Sequence, residues 1–204
     1  MKKIYLVRHG ESKWNILKKI QGQYDIELTQ RGLNQADLIG KRLVDEKIKK
    51  IYSSDLIRAY KTAEIIGNKL KLDIVPMEEF REINFGMWEG LSIDEIKSRY
   101  SKDYALWRKE PEKLKIKDAE SLFELQSRAI KGINKIINND NINNILIVSH
   151  SATIKAMILG LLDIDLKNFK NFSLKNVSLS IIEMRDYNNV LSLLNDTNHI
   201  KEKL

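Results

Sequence analysis

An α/β fold, built on a mostly parallel sheet with helices on both faces, is what this 204-residue sequence predicts, on three observations. The apolar runs Ile4-Tyr5-Leu6-Val7 and Ile145-Leu146-Ile147-Val148 do not alternate with polar residues, so they read as strands buried on both faces. Helical stripes of period 3.6 separate these runs, the alternation that builds layered sheets. Each run then leads to a histidine, His9 and His150. In an open parallel sheet ligands bind just outside the carboxyl ends of the strands, so both imidazoles should project into one crevice.

The first strand closes on Arg8-His9-Gly10-Glu11-Ser12: a fixed positive charge, an imidazole able to act as nucleophile or base, and a glycine that lets backbone approach a ligand. Residues 29–46 predict an amphipathic helix with Leu33, Ala36, Ile39 and Leu43 on one stripe. Residues 55–70 predict another, with Leu56, Ala59, Ala63, Ile66 and Leu70 in register. A short strand at 50–53 lies between them, and 73–75 makes a further strand before Pro76. Ser92 with Glu95, and Ser121 with Glu124, fit capping boxes, the second opening a helix through Leu125, Ala129, Ile133 and Ile136. The asparagine-rich stretch 134–144 reads as a helix end and loop before the buried strand 144–149. Strands at 178–184 and 190–194 flank a turn at 186–189.

Hydrophobic residues make up 43 % of the chain, enough for a real core, and no repeat or low-complexity linker divides it. The expectation is one domain, 1–204, in which about 77–111 form a helical, lid-like insertion over the strand ends. The absence of cysteine excludes a disulfide framework and a cysteine nucleophile; the cytoplasm is the default location. No apolar run is long enough for a membrane span. The formal charge of +7 favours anionic partners in general. Its lysines, however, are mixed with acids and lack interleaved aromatics, so no nucleic-acid partner is expected. A homodimer is left open. His199, in a polar tail, reads as a surface residue.

The motifs carry a resemblance. Leu6-Val7-Arg8-His9-Gly10-Glu11-Ser12 with Trp14-Asn15 and Gln21-Gly22, then Ser53-Ser54-Asp55-Leu56-Ile57-Arg58-Ala59, then Glu82-Ile83-Asn84-Phe85-Gly86-Met87-Trp88-Glu89-Gly90, and last Val148-Ser149-His150 together resemble the histidine phosphatase superfamily, in its phosphoglycerate mutase-like branch. The resemblance covers roughly residues 4–160 and implies a phosphoglycerate mutase-like fold. It is nearest the small phosphatase members, such as the broad-specificity and alpha-ribazole phosphatases.

The residues have a physical reading beside it. Attack on phosphorus needs a neutral imidazole, and two neighbouring guanidiniums disfavour protonation of His9, which suits it as the nucleophile. Arg58 falls in the first turn of a helix that Asp55 is expected to cap, so its fork can share a phosphate with Arg8. The resemblance assigns His150 an electrostatic and hydrogen-bonding role on the phosphoryl group, Asn15 a supporting contact, and Glu82 the proton for the leaving oxygen. By sequence alone Glu78, Glu79 and Glu89 compete for that last role. Gln21, Gly22 and Ser151 are taken as part of the phosphate and substrate site. A metal centre from His9, His150 and Glu82 is set aside, because no ligand pair has metal spacing and arginines crowd the place. No cofactor is expected.

Mutases of the family usually carry Thr-Gly in place of Gln21-Gly22, and Arg, Tyr and Lys at the positions of Ile83, Phe85 and Ile93. Losing cations that hold a second anionic group removes charge-assisted bonds worth roughly 1.5 to 3 kcal/mol each. The favoured function is therefore a metal-independent phosphomonoester hydrolase, acting through phosphohistidine on small phosphorylated metabolites and releasing inorganic phosphate. A phosphoglycerate mutase and a non-catalytic phospho-ligand binder remain alternatives. Ser151, where glycine is common, is expected to narrow the pocket or strain the backbone. Asp118-Ala119-Glu120-Ser121, in place of Gly-Glu-Ser, is expected to alter the cover over the substrate.

Overall fold

In the computed structural model, which describes residues 2–139 and 143–200, the chain begins with β1 (Lys2–Arg8), α1 (Lys13–Ile16) and α2 (Gln30–Arg42). There follow β2 (Lys50–Ser53), α3 (Ile57–Leu70), β3 (Ile74–Pro76), α4 (Ile93–Arg99) and α5 (Ser101–Lys109). The last part contains α6 (Leu122–Asn139), β4 (Asn144–Ser149), α7 (Ser151–Leu161), β5 (Leu179–Met184) and β6 (Asn189–Asp196). The six strands lie in the order β3-β2-β4-β1-β5-β6. The first four are parallel to one another, and the hairpin β5–β6 adds an antiparallel edge. The sheet is thus mostly parallel, as expected.

Alternate strand residues feed two cores. Ile4, Leu6, Ile145 and Ile147 pack with Ile133 of α6 and Ile154 of α7. Tyr5, Val7, Leu146 and Val148 pack on the opposite face with Ile39 of α2 and Ile66 of α3. A third cluster joins Ile83, Phe85, Trp88 and Ile96 to Leu125, Ala156 and Phe169, seating residues 77–111 beside α6 and α7.

Local signals carry the helix starts. Thr29 accepts from the Gly32 amide, and both expected capping boxes form, Ser92 with Glu95 and Ser121 with Glu124. The helix expected over 29–46 stops at Arg42 and continues as a tighter turn to Glu46, after which Lys47 is left-handed. The strand expected at 73–75 shifts by one, so that Pro76 pairs with Ser53 on the sheet edge, where a missing N–H is tolerated. The helix end expected within 134–144 falls at Asn139, where α6 stops; residues 140–142 of that reading lie outside the described residues. His199 is not the solvated residue expected: both its ring nitrogens are buried.

Candidate active site

The register places the two histidines together. Arg8 pairs with Ser149 across β1 and β4, and the next residues, His9 and His150, bring their rings to 5.2 Å between centroids. The two residues are 3 % and 0 % exposed. His9 Nδ1 lies 2.7 Å from the Gly10 carbonyl oxygen. A carbonyl only accepts, so Nδ1 carries the proton and Nε2 the lone pair. His150 Nε2 lies 2.8 Å from Ser54 Oγ, and its Nδ1 is buried with no hydrogen-bond partner. Burial, then Arg58, holds both imidazoles well below the ordinary histidine pKa, with Arg8 adding to it.

Two guanidiniums flank these rings. Arg8 Nη1 donates to the Leu174 carbonyl at 2.6 Å. Arg58, 1 % exposed, donates to the carbonyls of Tyr24 and Gly22, each at 2.7 Å. Burial pushes the Arg58 pKa down to about 10, with Glu82 opposing the fall. Neither Nε has a partner. Buried cations without an ion pair are costly, and an anion drawn between them would relieve that cost.

Asp55 does not cap α3. Its carboxylate takes Arg81 Nε at 2.8 Å, and the Ile57 amide donates instead to Asp25 Oδ1 at 2.8 Å. Arg58 nonetheless lies in the first turn, because Ile57 begins the helix.

Glu82 is met by hydrogen-bond donors. Oε1 accepts from the Thr153 amide at 3.2 Å and its hydroxyl at 3.1 Å, and Oε2 from the Ala152 amide at 3.3 Å. These are free N–H groups of the first turn of α7, which begins right after His150, so the carboxylate is held at the histidine crevice. Among its three rivals, Glu79 pairs with Lys135 and Glu78 with Arg81. Glu89 accepts from the amides of Gln23 and Phe85, and burial raises its pKa.

Asn15 Oδ1 is occupied by the Ser12 amide at 3.0 Å and Asn176 Nδ2 at 3.2 Å, which leaves its own NH₂ as donor. Gln21, 9 % exposed, accepts from Ser12 Oγ at 2.9 Å. Gly22 is needed where it stands: its φ is +48°, and a Cβ there would lie 1.8 Å from the Glu89 carboxylate. Gly10 has a different reason from the expected one, since a Cβ would lie 2.5 Å from the Gly32 carbonyl oxygen, a neighbour within the fold. Ser151 is the first residue of α7 and is not among the residues with positive φ, so the backbone strain expected there is absent. In the 118–121 segment Asp118 takes the left-handed conformation, φ 59°. Glu120 binds Arg128 Nη2 at 2.9 Å.

Arg128 escaped the sequence reading. Its other bonds run to the carbonyls of Glu79, Arg81 and Glu82 at 2.8 to 2.9 Å, so one guanidinium clamps the backbone that carries Glu82. Thr153 and Ser54 were missed for a similar reason. Hydroxyls and arginines on helices are common, and only long-range contacts give these a role. Lys155 did leave a signal, a lone charge inside the apolar run 152–159. Among the described residues no group of three or more His, Cys, Asp or Glu side chains is placed to hold a metal ion. No helix among them is long and apolar enough to cross a membrane.

Buried imidazoles thus stand at the carboxyl ends of parallel strands beside two guanidiniums that form no ion pair among the described residues, a concentration of positive charge suited to an anion. The particular family follows from comparison: residues 4–197 match the model of the histidine phosphatase superfamily, branch 1, and the chain belongs to it. It is 37 % identical to phosphoserine phosphatase 1 of Hydrogenobacter thermophilus, covering 99 % of this chain and 96 % of that protein. It is 33 % identical to a probable phosphoglycerate mutase, GpmB, of Yersinia pestis, covering 91 % and 86 %. The structure of Bacillus stearothermophilus YhfR superposes with a TM-score of 0.93 at 30 % identity, covering 98 % and 100 %. The phosphoglycerate mutase-like fold is thereby shared.

Proposed function

We propose that this protein hydrolyses small phosphomonoesters through a phosphohistidine at His9, without a metal ion, and that O-phosphoserine is the first substrate to try. The observation that carries the reading is the neutral His9 Nε2 between two guanidiniums, Arg58 buried and Arg8 partly so, whose Nε atoms are buried without a partner and which form no ion pair among the described residues. Arg8 and Arg58 hold the phosphoryl oxygens, with Asn15 and His150 as further donors, and supply positive charge that a metal supplies elsewhere. The Nε2 lone pair attacks phosphorus, the P–O bond to the leaving oxygen breaks, and Glu82 gives that oxygen its proton. Water then attacks the phosphohistidine and loses a proton to Glu82, the N–P bond breaks, and inorganic phosphate leaves.

Transfer to a second hydroxyl, the mutase outcome, is the second reading, and the GpmB likeness favours it. Against it, Ile83 is 2 % and Phe85 8 % exposed within the insertion core, so two positions that carry substrate-holding side chains in mutases face inward here. Residues 77–111 would act as the lid of a single domain. The test is a rapid alkaline quench during turnover of ³²P-labelled O-phosphoserine. Acid-labile, base-stable label should appear on the wild type and not on His9→Ala, with the rate unchanged by excess EDTA. Near-normal turnover by His9→Ala would overturn the reading.

A further inference from the structure

Ser54 lies fully buried between β2 and α3, and it meets His150 across 96 positions of chain, Oγ to Nε2 at 2.8 Å. Either group can be the donor in such a contact. The other bonds of the serine decide which. Its Oγ already accepts from the Leu56 amide at 3.2 Å. If His150 Nε2–H donated to it as well, the hydroxyl hydrogen would be buried with no acceptor among the described residues, and a donor left in that state costs about 1 to 3 kcal/mol. With the hydroxyl donating to Nε2, every polar atom of the serine side chain is paired.

The His150 ring is neutral, because burial and the Arg58 charge keep it so. A lone pair at Nε2 therefore puts the single ring proton on Nδ1. That is the nitrogen buried without a partner. It is a donor lacking an acceptor, in a crevice that two guanidiniums already make attractive to an anion. In the opposite tautomer the same atom would present a lone pair to an incoming phosphoryl oxygen and repel it.

His9 has the same tautomer for the opposite use. An acceptor, the Gly10 carbonyl, draws its proton to Nδ1 and frees the lone pair of Nε2. At His150 a donor, the Ser54 hydroxyl, occupies the Nε2 lone pair and leaves Nδ1–H free. One ring offers an electron pair and its neighbour, 5.2 Å away, a proton, and neither carries charge.

We propose that Ser54 is a positioning residue of the phosphoryl site: its hydroxyl, anchored by the Leu56 amide, fixes His150 in the tautomer whose Nδ1–H donates to a phosphoryl oxygen. The inference rests on the reading of this crevice as the phosphoryl site. It also joins two of its groups, since the turn that orients the hydroxyl ends at Leu56, the residue from which the Arg58 helix starts.

The test reads the tautomer directly. Long-range ¹H–¹⁵N correlation spectra are recorded on the full chain labelled at histidine, at pH 7 and without substrate, with His150→Gln assigning the ring. Wild-type His150 should show a protonated, pyrrole-type Nδ1 and a pyridine-type Nε2. Ser54→Ala should move the ring toward the Nε2–H form, which free histidine prefers, and should bind inorganic phosphate about 10-fold more weakly in calorimetry, the order expected for one hydrogen bond to a charged group. A wild-type His150 protonated at Nε2 would overturn the inference whether or not Ser54→Ala folds. So would a folded Ser54→Ala protein that keeps either the wild-type tautomer or the wild-type phosphate affinity. Absence of turnover by a wild type that shows this tautomer and binds phosphate would overturn only the hydrolase reading.

Discussion

Lys155→Met should make the folded protein more stable. Burial lowers the Lys155 pKa from 10.5 to about 8. Keeping that ammonium charged at pH 7 therefore costs the folded state roughly 3 kcal/mol relative to the unfolded chain. Methionine has a similar reach and packs against aromatic rings. The variant forfeits the cation–π contact with Phe169 at 3.8 Å, worth about 1 to 2 kcal/mol when desolvated. The net gain is on the order of 1 to 2 kcal/mol, or roughly 2 to 4 °C in Tm per kcal/mol for a chain of this size. The gain depends on pH. Between about 8 and 10.5 the unfolded lysine binds a proton that the folded one has released, so wild-type stability gains a rising contribution that the methionine variant lacks. Urea unfolding of both proteins, compared at pH 7 and again above pH 10, isolates this contribution, because all other titrations are common to the pair. A variant less stable at pH 7, or a gap that does not narrow with pH, would refute the reasoning.

Glu82→Gln should slow phosphorylation of His9 far more with alkyl phosphates than with nitrophenyl phosphate, whose phenolate leaves without a proton; equal slowing in step-resolved kinetics would move the role to Glu78, Glu79 or Glu89. The imidazoles of His9 and His150 stay neutral well below their ordinary pKa, so the pH–rate profile of kcat should show no acid limb centred near 6.5. The same depression makes stability fall as pH drops below about 6.5, since the unfolded chain then binds protons that the folded state does not. Arg128→Ala leaves the carbonyls of Glu79, Arg81 and Glu82 without their donor. It should lower kcat for alkyl phosphates by about tenfold or more with KM nearly constant, because Glu82 loses its placement and the phosphate site does not. A change in KM alone would assign Arg128 to binding.

Much of the architecture was legible because the signals are local. A buried parallel strand is a short apolar run, and Thr29, Ser92 and Ser121 announce their helices by bonds to amides three residues on. The position of His9 and His150 at strand ends was equally local, and the rule that ligands lie at the carboxyl ends of such strands places both in one crevice. What the chain could not display is which distant groups satisfy one another. Asp25, 32 positions away, takes the amide that Asp55 was expected to cap; Asp55 is drawn off by Arg81. Glu82 finds its donors at Ala152 and Thr153, and Arg128 reaches back 46 positions to the carbonyl of Glu82. Lys155 looks from its neighbours like a stray charge on an apolar helix, until Phe169 and Trp107 close around it. By itself, then, the sequence determined the strands, the helix starts and the chemical types gathered at the site, because each is set by neighbours within a few residues. The tertiary structure alone decided which donors hold Glu82, the carboxylate the motif had already assigned, and which buried cations form no ion pair among the described residues, because hydrogen bonding and desolvation depend on who is near in space, and chain separation does not measure that.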